Sequence, residues 1–375
     1  MSFNRSRFSR SEFSSRKTSL RVTALAGVAI FIALACISAQ AAPITFDVNF
    51  QGAGWTPDSE NALQYAADTW GGLLNANYAG ETITINANFG SLGGGKLAST
   101  NPVRAIFGTL IPNASILFNY QFFYFPSATA NHIALADLYP GEPEIDITFS
   151  PDSDHPAVTW WYDTTIAPPP PPNLPAHYDF STIALHEIAH GLGFGSALIE
   201  TSPGILHYLF TIPNTFIETG WYYDMYVFNT RYSSNDPAGF PISTDAADRY
   251  ALVTDPSKLI FGGPFARAEN GGIFPALYAP PPPSQNDPNA PGFVGGSSVS
   301  HLSENPDYGF PNDLMVPHAP LSEVNHSPSA LDLAMLEDVG WIPISSSEIP
   351  EPGSLMLLAT GTGILWLAVY RRKGK

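Results

Sequence analysis

Cysteine is almost absent from this chain of 375 residues: the only one is Cys36, which excludes a disulfide framework. Positive charge is scarce where the bulk of the chain lies. Of sixteen basic residues, six stand in 1–42 and four in the last five positions. Six are left between 43 and 347, against thirty acidic ones, a net charge of about −24. A body that acidic repels phosphate backbones and anionic headgroups, which argues against nucleic acid as a partner and against peripheral attachment to a bilayer. No repeat of fixed period is visible. Apolar and aromatic residues, by contrast, are plentiful at 44% and 13%, enough for a packed core. The roughly 300 residues of the middle suit one large domain or two small ones.

Both ends read as addresses. A basic, Ser-rich segment precedes an apolar run from Val22 to Ile37 and then Ala39-Gln40-Ala41, the three parts of a secretory signal. Cleavage after Ala41 or Ala42 would start the mature chain near Pro43, and Cys36 would leave with the signal. An uncleaved anchor is the alternative, although the run is shorter than the ~20 residues a span prefers. At the other end, Pro350-Glu351-Pro352 is followed by a largely apolar run, Leu355 to Tyr370, and then Arg371-Arg372-Lys373. Positive charge after an apolar span keeps that end in the cytoplasm and the body outside. The order resembles the PEP-CTERM sorting signal of Gram-negative bacteria that make extracellular polysaccharide. The resemblance implies processing by an exosortase-type enzyme, an exopolysaccharide matrix as a possible partner, and a final place at the cell surface or beyond. A plain single-span anchor is the alternative. The expected organisation is a signal peptide over 1–42, a body over 43–345 and a sorting segment over 346–375.

Within the body, Ile44 to Phe50, Glu81 to Phe89 and Ile145 to Phe149 alternate apolar and polar residues, the period of half-buried strands. Asn61 to Leu74 places Ala62, Leu63, Ala66 and Trp70 on one helical face, with a cap expected near Asp58 or Ser59. Two proline runs, Pro168 to Pro172 and Pro280 to Pro283, mark a stiff connector and a long loop. The plan is α+β: strands with one helix, a second helix, then a long irregular insert over 197–299.

The second helix carries the chemistry. It reads Phe180-Ser181-Thr182-Ile183-Ala184-Leu185-His186-Glu187-Ile188-Ala189-His190-Gly191-Leu192-Gly193-Phe194. Residues i and i+4 project from one face of a helix, so His186 and His190 can offer two imidazole nitrogens to one Zn²⁺. Glu187 stands beside them as a base for water. Ser181 can cap this helix, and Gly193 permits the left-handed residue that ends one. By composition alone, His-Glu-x-x-His arises about once in a hundred such chains.

A catalytic zinc site needs a third protein ligand and an open position. The short-spaced metzincin pattern would put that ligand at 196, where this chain has Ser196. Farther on come Ser300-His301-Leu302-Ser303-Glu304, Asn312-Asp313-Leu314-Met315-Val316-Pro317 and Leu331 to Trp341. With the His-Glu-x-x-His-x-x-Gly-Phe helix these blocks resemble the leishmanolysin-like branch of the metzincins, in which a long insertion precedes the third histidine and a Met-turn follows it. The resemblance implies a twisted mixed sheet, an active-site helix and a C-terminal subdomain. It implies His301 as third ligand, Met315 as the Met-turn residue and a helix ending at Gly340. His326, His318 and Glu200 stay open as alternative ligands.

The function this predicts is an exported zinc-dependent endopeptidase acting on protein or peptide substrates. Two other classes remain: a non-catalytic surface or matrix protein of the same fold, and a glycan-binding module using Trp160, Trp161 and Tyr162 or Trp221, Tyr222 and Tyr223. Aromatic triplets are more often core than sugar platforms.

Overall fold

The computed structural model describes residues 42–341, apart from 94, 118, 156–157, 166–175, 230–245, 285–286, 288 and 320. The expected signal, the first proline run and the sorting segment lie outside the described residues. Ala42–Ile344 form one compact unit. Among the described residues no helix is long and apolar enough to cross a membrane.

The expected alternation builds the central sheet. β1 (Thr45–Gln51) is followed by helix α1 (Pro57–Leu73), β2 (Thr82–Phe89), β3 (Ala98–Pro102), helix α2 (Ser127–Ala134), β4 (Ile145–Phe149) and helix α3 (Phe180–Gly191). The sheet order is β1-β2-β4-β3. β1, β2 and β4 run parallel, while β3 lies antiparallel to β4 at the edge. Phe46, Ile83, Ile85, Ala87, Ile145, Ile147 and Phe149 are buried. Between them on β1, β2 and β4, Asn49, Asn86 and Asp146 stand in register and hydrogen-bond across the exposed face at 3.3 and 3.0 Å. This is the division of faces that a period of two dictates.

α1 and α3 pack against each other, and α3 also lies against β3 and β4. Trp70 of α1 is fully buried and donates its indole N–H to the Leu185 carbonyl of α3 at 2.9 Å. A Cβ on Gly191 would come within 2.6 Å of the Ile145 side chain, so the end of α3 sits directly on β4. Both helix starts differ from the sequence expectation. Thr56, not Asp58 or Ser59, caps α1, with Pro57 in its first turn and Ser59 completing a capping box. Asp179, not Ser181, caps α3, accepting from Thr182 N at 2.7 Å. Ser181 is already inside the helix and turns its hydroxyl to the Ala62 carbonyl of α1.

The stretch 197–299 is more ordered than the sequence suggested. It holds an antiparallel pair, Leu198–Ser202 with Ile205–Tyr208, a second pair, Val227–Asn229 with Leu259–Phe261, and helices α4 (Ala246–Val253) and α5 (Pro264–Glu269). Leu206, Tyr222, Tyr223, Val227 and Phe261 join the same apolar core as the sheet. α6 (Ala330–Asp338) is the last helix among the described residues, and the carboxylate of Asp338 accepts from Phe265 and Ala266 N–H at the start of α5. Past its end, Gly340 takes the positive φ (118°) expected of a helix terminator, and Trp341 donates to the Leu192 carbonyl at 2.7 Å.

Candidate metal centre

Three histidines from two distant segments meet on one side of α3. His186 and His190 project from the helix, one turn apart, and His301 arrives from the loop after 299. Their Nε2 atoms form a triangle: 3.0 Å from His186 to His301, 3.0 Å from His190 to His186 and 3.2 Å from His190 to His301. Ligand nitrogens about 2.0–2.1 Å from one tetrahedral ion stand about 3.3 Å apart, so the spacing is that of a shared ion.

The other ring nitrogen decides what those Nε2 atoms are. His186 Nδ1 lies 2.8 Å from the Leu314 carbonyl, His190 Nδ1 2.5 Å from the Phe194 carbonyl and His301 Nδ1 2.8 Å from the Ser297 carbonyl. A carbonyl only accepts, so each Nδ1 carries the proton and each Nε2 presents a bare lone pair. Three lone pairs aimed at one point repel unless a cation lies among them. The imidazoles also resist protonation. Burial lowers the pKa of His186, brings His190 down to about 3 with help from His186, and takes His301 well below its ordinary value with help from both neighbours. The three can hold a metal ion, in the neutral form that ligation requires.

Glu187 is buried beside them. Its Oε2 accepts from the Thr100 hydroxyl of edge strand β3 at 2.7 Å. Burial pushes its carboxyl up to about 7, against the Thr100 hydrogen bond and the charge of Lys96. The four residues line an open cleft of about 850 Å³ whose walls include β3 from Ala98 to Pro102. Among the described residues the outer edge of β3 is paired with no strand, so its backbone faces the cleft as an unfilled ladder.

The loop carrying His301 is tied from several sides. The His301 carbonyl accepts from Tyr278 N–H and Leu302 N–H donates to the Met315 carbonyl, at 2.8 Å each. Val299, two residues earlier, is held at φ +72°, a left-handed conformation rare for a β-branched residue. Tyr223 Oη and the Tyr278 carbonyl bind it there. Ser196, where the short-spaced pattern would have its ligand, has a different task. Its hydroxyl donates to Asp224 at 2.5 Å and its N–H donates to Ser300 Oγ at 3.0 Å, fastening the insert and the His301 loop to the end of α3.

Met315 is fully buried, its N–H bonded to Asp313 at 3.0 Å, and the preceding Leu314 supplies the carbonyl that orients His186. The alternative ligands lie elsewhere. His326 pairs with Asp179 at 2.8 Å, His318 is exposed and pairs with Glu304 at 2.9 Å, and Glu200 accepts from Gly204 N–H at 2.8 Å. Of the aromatic triplets, Trp160, Tyr222 and Tyr223 are buried, and Trp160 packs edge-on against Phe149 and Phe180. Sequence reasoning missed Thr100, since Ala-Ser-Thr-Asn-Pro shows no alternation that would mark β3 as a strand.

Fold and site together define a mixed α+β protein with a cluster of three histidines that could hold a metal ion. Comparison with protein-family models, with curated proteins and with solved structures returned no match.

Proposed function

We propose that this chain is an exported zinc-dependent endopeptidase. The observation that carries the reading is the joint arrangement of three neutral imidazoles with converging Nε2 atoms and the buried carboxyl of Glu187 in one cleft. The donor set fits zinc, which favours imidazole ligands at four-coordinate sites with one open position. A structural site would have no use for the carboxyl. The resemblance of the His-Glu-x-x-His helix, the distant His301 and the Met315 turn to leishmanolysin-like metzincins supports the same reading, and the terminal signals support export with PEP-CTERM-type sorting.

His186, His190 and His301 would hold the ion. When bound, zinc supplies a Lewis acid that acidifies water and polarises a carbonyl. Glu187 takes the proton from the attacking water as its oxygen bonds to the scissile carbon, then delivers that proton to the leaving amine nitrogen as the C–N bond breaks. Thr100 fixes one carboxylate oxygen, which leaves the other to work. A peptide is the favoured substrate because the open edge of β3 can pair with an extended backbone, placing a carbonyl beside Glu187.

The test is metal content and casein hydrolysis of the purified full chain. One zinc per chain, lost in His301→Ala, with cleavage abolished in Glu187→Gln, is the expected result. Zinc bound without any cleavage would leave a non-catalytic surface protein, and full zinc retention by His301→Ala would sink the three-histidine site.

A further inference from the structure

The body of the chain has so few cations that the position of each one is informative. Of the six basic residues between 43 and 347, Arg231 falls outside the described residues. Four of the other five are engaged. Arg104 holds both oxygens of Glu142 at 2.6 and 2.7 Å, and Arg249 binds Glu218 and the Leu206 carbonyl. Lys258 meets Asp255 at 3.2 Å, while Arg267 donates to the Gly272 carbonyl at 2.9 Å and covers the Phe274 ring. The fifth, Lys96, is exposed on the wall of the cleft and makes no ion pair with a described residue.

Its backbone, by contrast, is fixed. Lys96 N–H donates to the Gly93 carbonyl at 3.2 Å, and its own carbonyl accepts from Ser150 Oγ at 2.7 Å. Gly93 and Gly95, both at positive φ with no atom near a would-be Cβ, make the turn that delivers it to the start of β3. The charge is near enough to act on the Glu187 carboxyl. In a molecule this acidic, an ammonium in the cleft has an abundance of carboxylates to choose from and is bound to none of the described ones.

We infer that Lys96 is a specificity-determining residue that binds a carboxylate of the peptide lying along β3. The inference rests on the peptidase reading. Thr100 touches the base, and Lys96 lies four positions before it on an extended path, roughly 13 Å away. Allowing for the reach of a lysine side chain, the carboxylate belongs about two to four residues from the scissile bond. It is supplied either by an Asp or Glu side chain or by the chain terminus.

The experiment uses the zinc-loaded full chain and a mixed-sequence peptide library, once with free and once with amidated C-termini. Cleavage sites are read by mass spectrometry, and kcat/KM is then measured on matched peptides that differ only by Glu or Gln at the preferred position. Wild type should prefer the Glu peptide. Lys96→Gln should lower the Glu/Gln ratio by about five-fold, Lys96→Glu should invert it, and Lys96→Arg should restore it. A preference that survives amidation assigns the carboxylate to a side chain, and one abolished by amidation assigns it to the terminus. A carboxylate preference, whether Glu over Gln or free over amidated terminus, that is unchanged in Lys96→Gln, even if both rates shift together, overturns the inference while leaving the peptidase reading standing. No cleavage of any library peptide overturns both.

Discussion

Two groups of buried ionisable side chains in this molecule are balanced in opposite ways. In one group the partners are neutral: the three imidazoles are held by backbone carbonyls, Glu187 by a threonine hydroxyl, and Asp224 by Ser196 and two backbone N–H groups. In the other an imidazole meets a carboxylate. His132 pairs with Glu81 at 2.8 Å under Trp341, and His326 pairs with Asp179 at 2.8 Å at the start of α3. The residue type is the same, and the partner of one ring nitrogen separates the two outcomes. A carboxylate partner closes a pair at one ring nitrogen, and the second nitrogens, His132 Nε2 and His326 Nδ1, lie buried with no hydrogen bond to a described residue. A carbonyl partner fixes the neutral tautomer and leaves a ligand. Counting histidines therefore says little about metal binding, whereas asking what holds each ring says a great deal.

The largest effects should come from exchanging roles across that divide. His301→Ala is expected to cost the chain its zinc and about a thousand-fold or more in peptide hydrolysis, while His326→Ala keeps one zinc per chain by elemental analysis. Zinc loss in His326→Ala alone would reverse the assignment. Glu187→Gln comes next. It keeps the zinc and lowers kcat by about 10²–10⁴-fold on a cleaved peptide. Near wild-type turnover would mean that another group moves the proton.

On the paired side the cost should appear as stability. His132→Ala leaves the Glu81 carboxylate buried, with the Asn77 backbone N–H as its one remaining hydrogen-bond donor among the described residues, and is expected to cost about 3–5 kcal/mol. Urea unfolding of the zinc-loaded chain measures this, and the zinc content should stay at one. A loss below 1 kcal/mol would show that the Glu81–His132 pair is dispensable and that the two groups differ less than their geometry suggests.

How far the sequence reveals these features depends on chain distance. The His186–His190 pair is legible because one helical turn sets its geometry, and β1, β2 and β4 are legible because one buried face imposes a period of two. α2 left no such trace: all eight of its residues, Ser127 to Ala134, are buried, so there is no polar face to reveal a helix. The two caps were displaced by two or three residues, since Thr56 precedes a proline and Asp179 ends a short strand paired with Thr159–Trp161. Thr100, Asp224 and Ser300 act across 87, 28 and 104 positions of chain, and no local pattern encodes contacts of that kind. His301 was singled out among the histidines by family resemblance, not by spacing.

The smallest effect separates the two groups by pH. Burial pushes the Asp224 carboxyl up to about 7, because its hydrogen-bond donors, which pull the other way, bring no positive charge. Its value in the unfolded chain is near the ordinary 3.8. Between those values the folded chain keeps a proton that the unfolded chain has released. The stabilisation this gives is therefore complete below about pH 4 and is lost as pH rises through 7. Asp224→Asn can accept from the two backbone N–H groups and donate to Ser196 without titrating. Compared in chelator, where the histidine triad contributes equally to both proteins, wild type should lose roughly 2–4 kcal/mol relative to the variant between pH 4.5 and pH 8. Denaturant midpoints measured at both pH values give the difference. A gap that stays constant with pH would mean that Asp224 is ionised in the folded chain throughout, and that a compensating positive charge stands beside it.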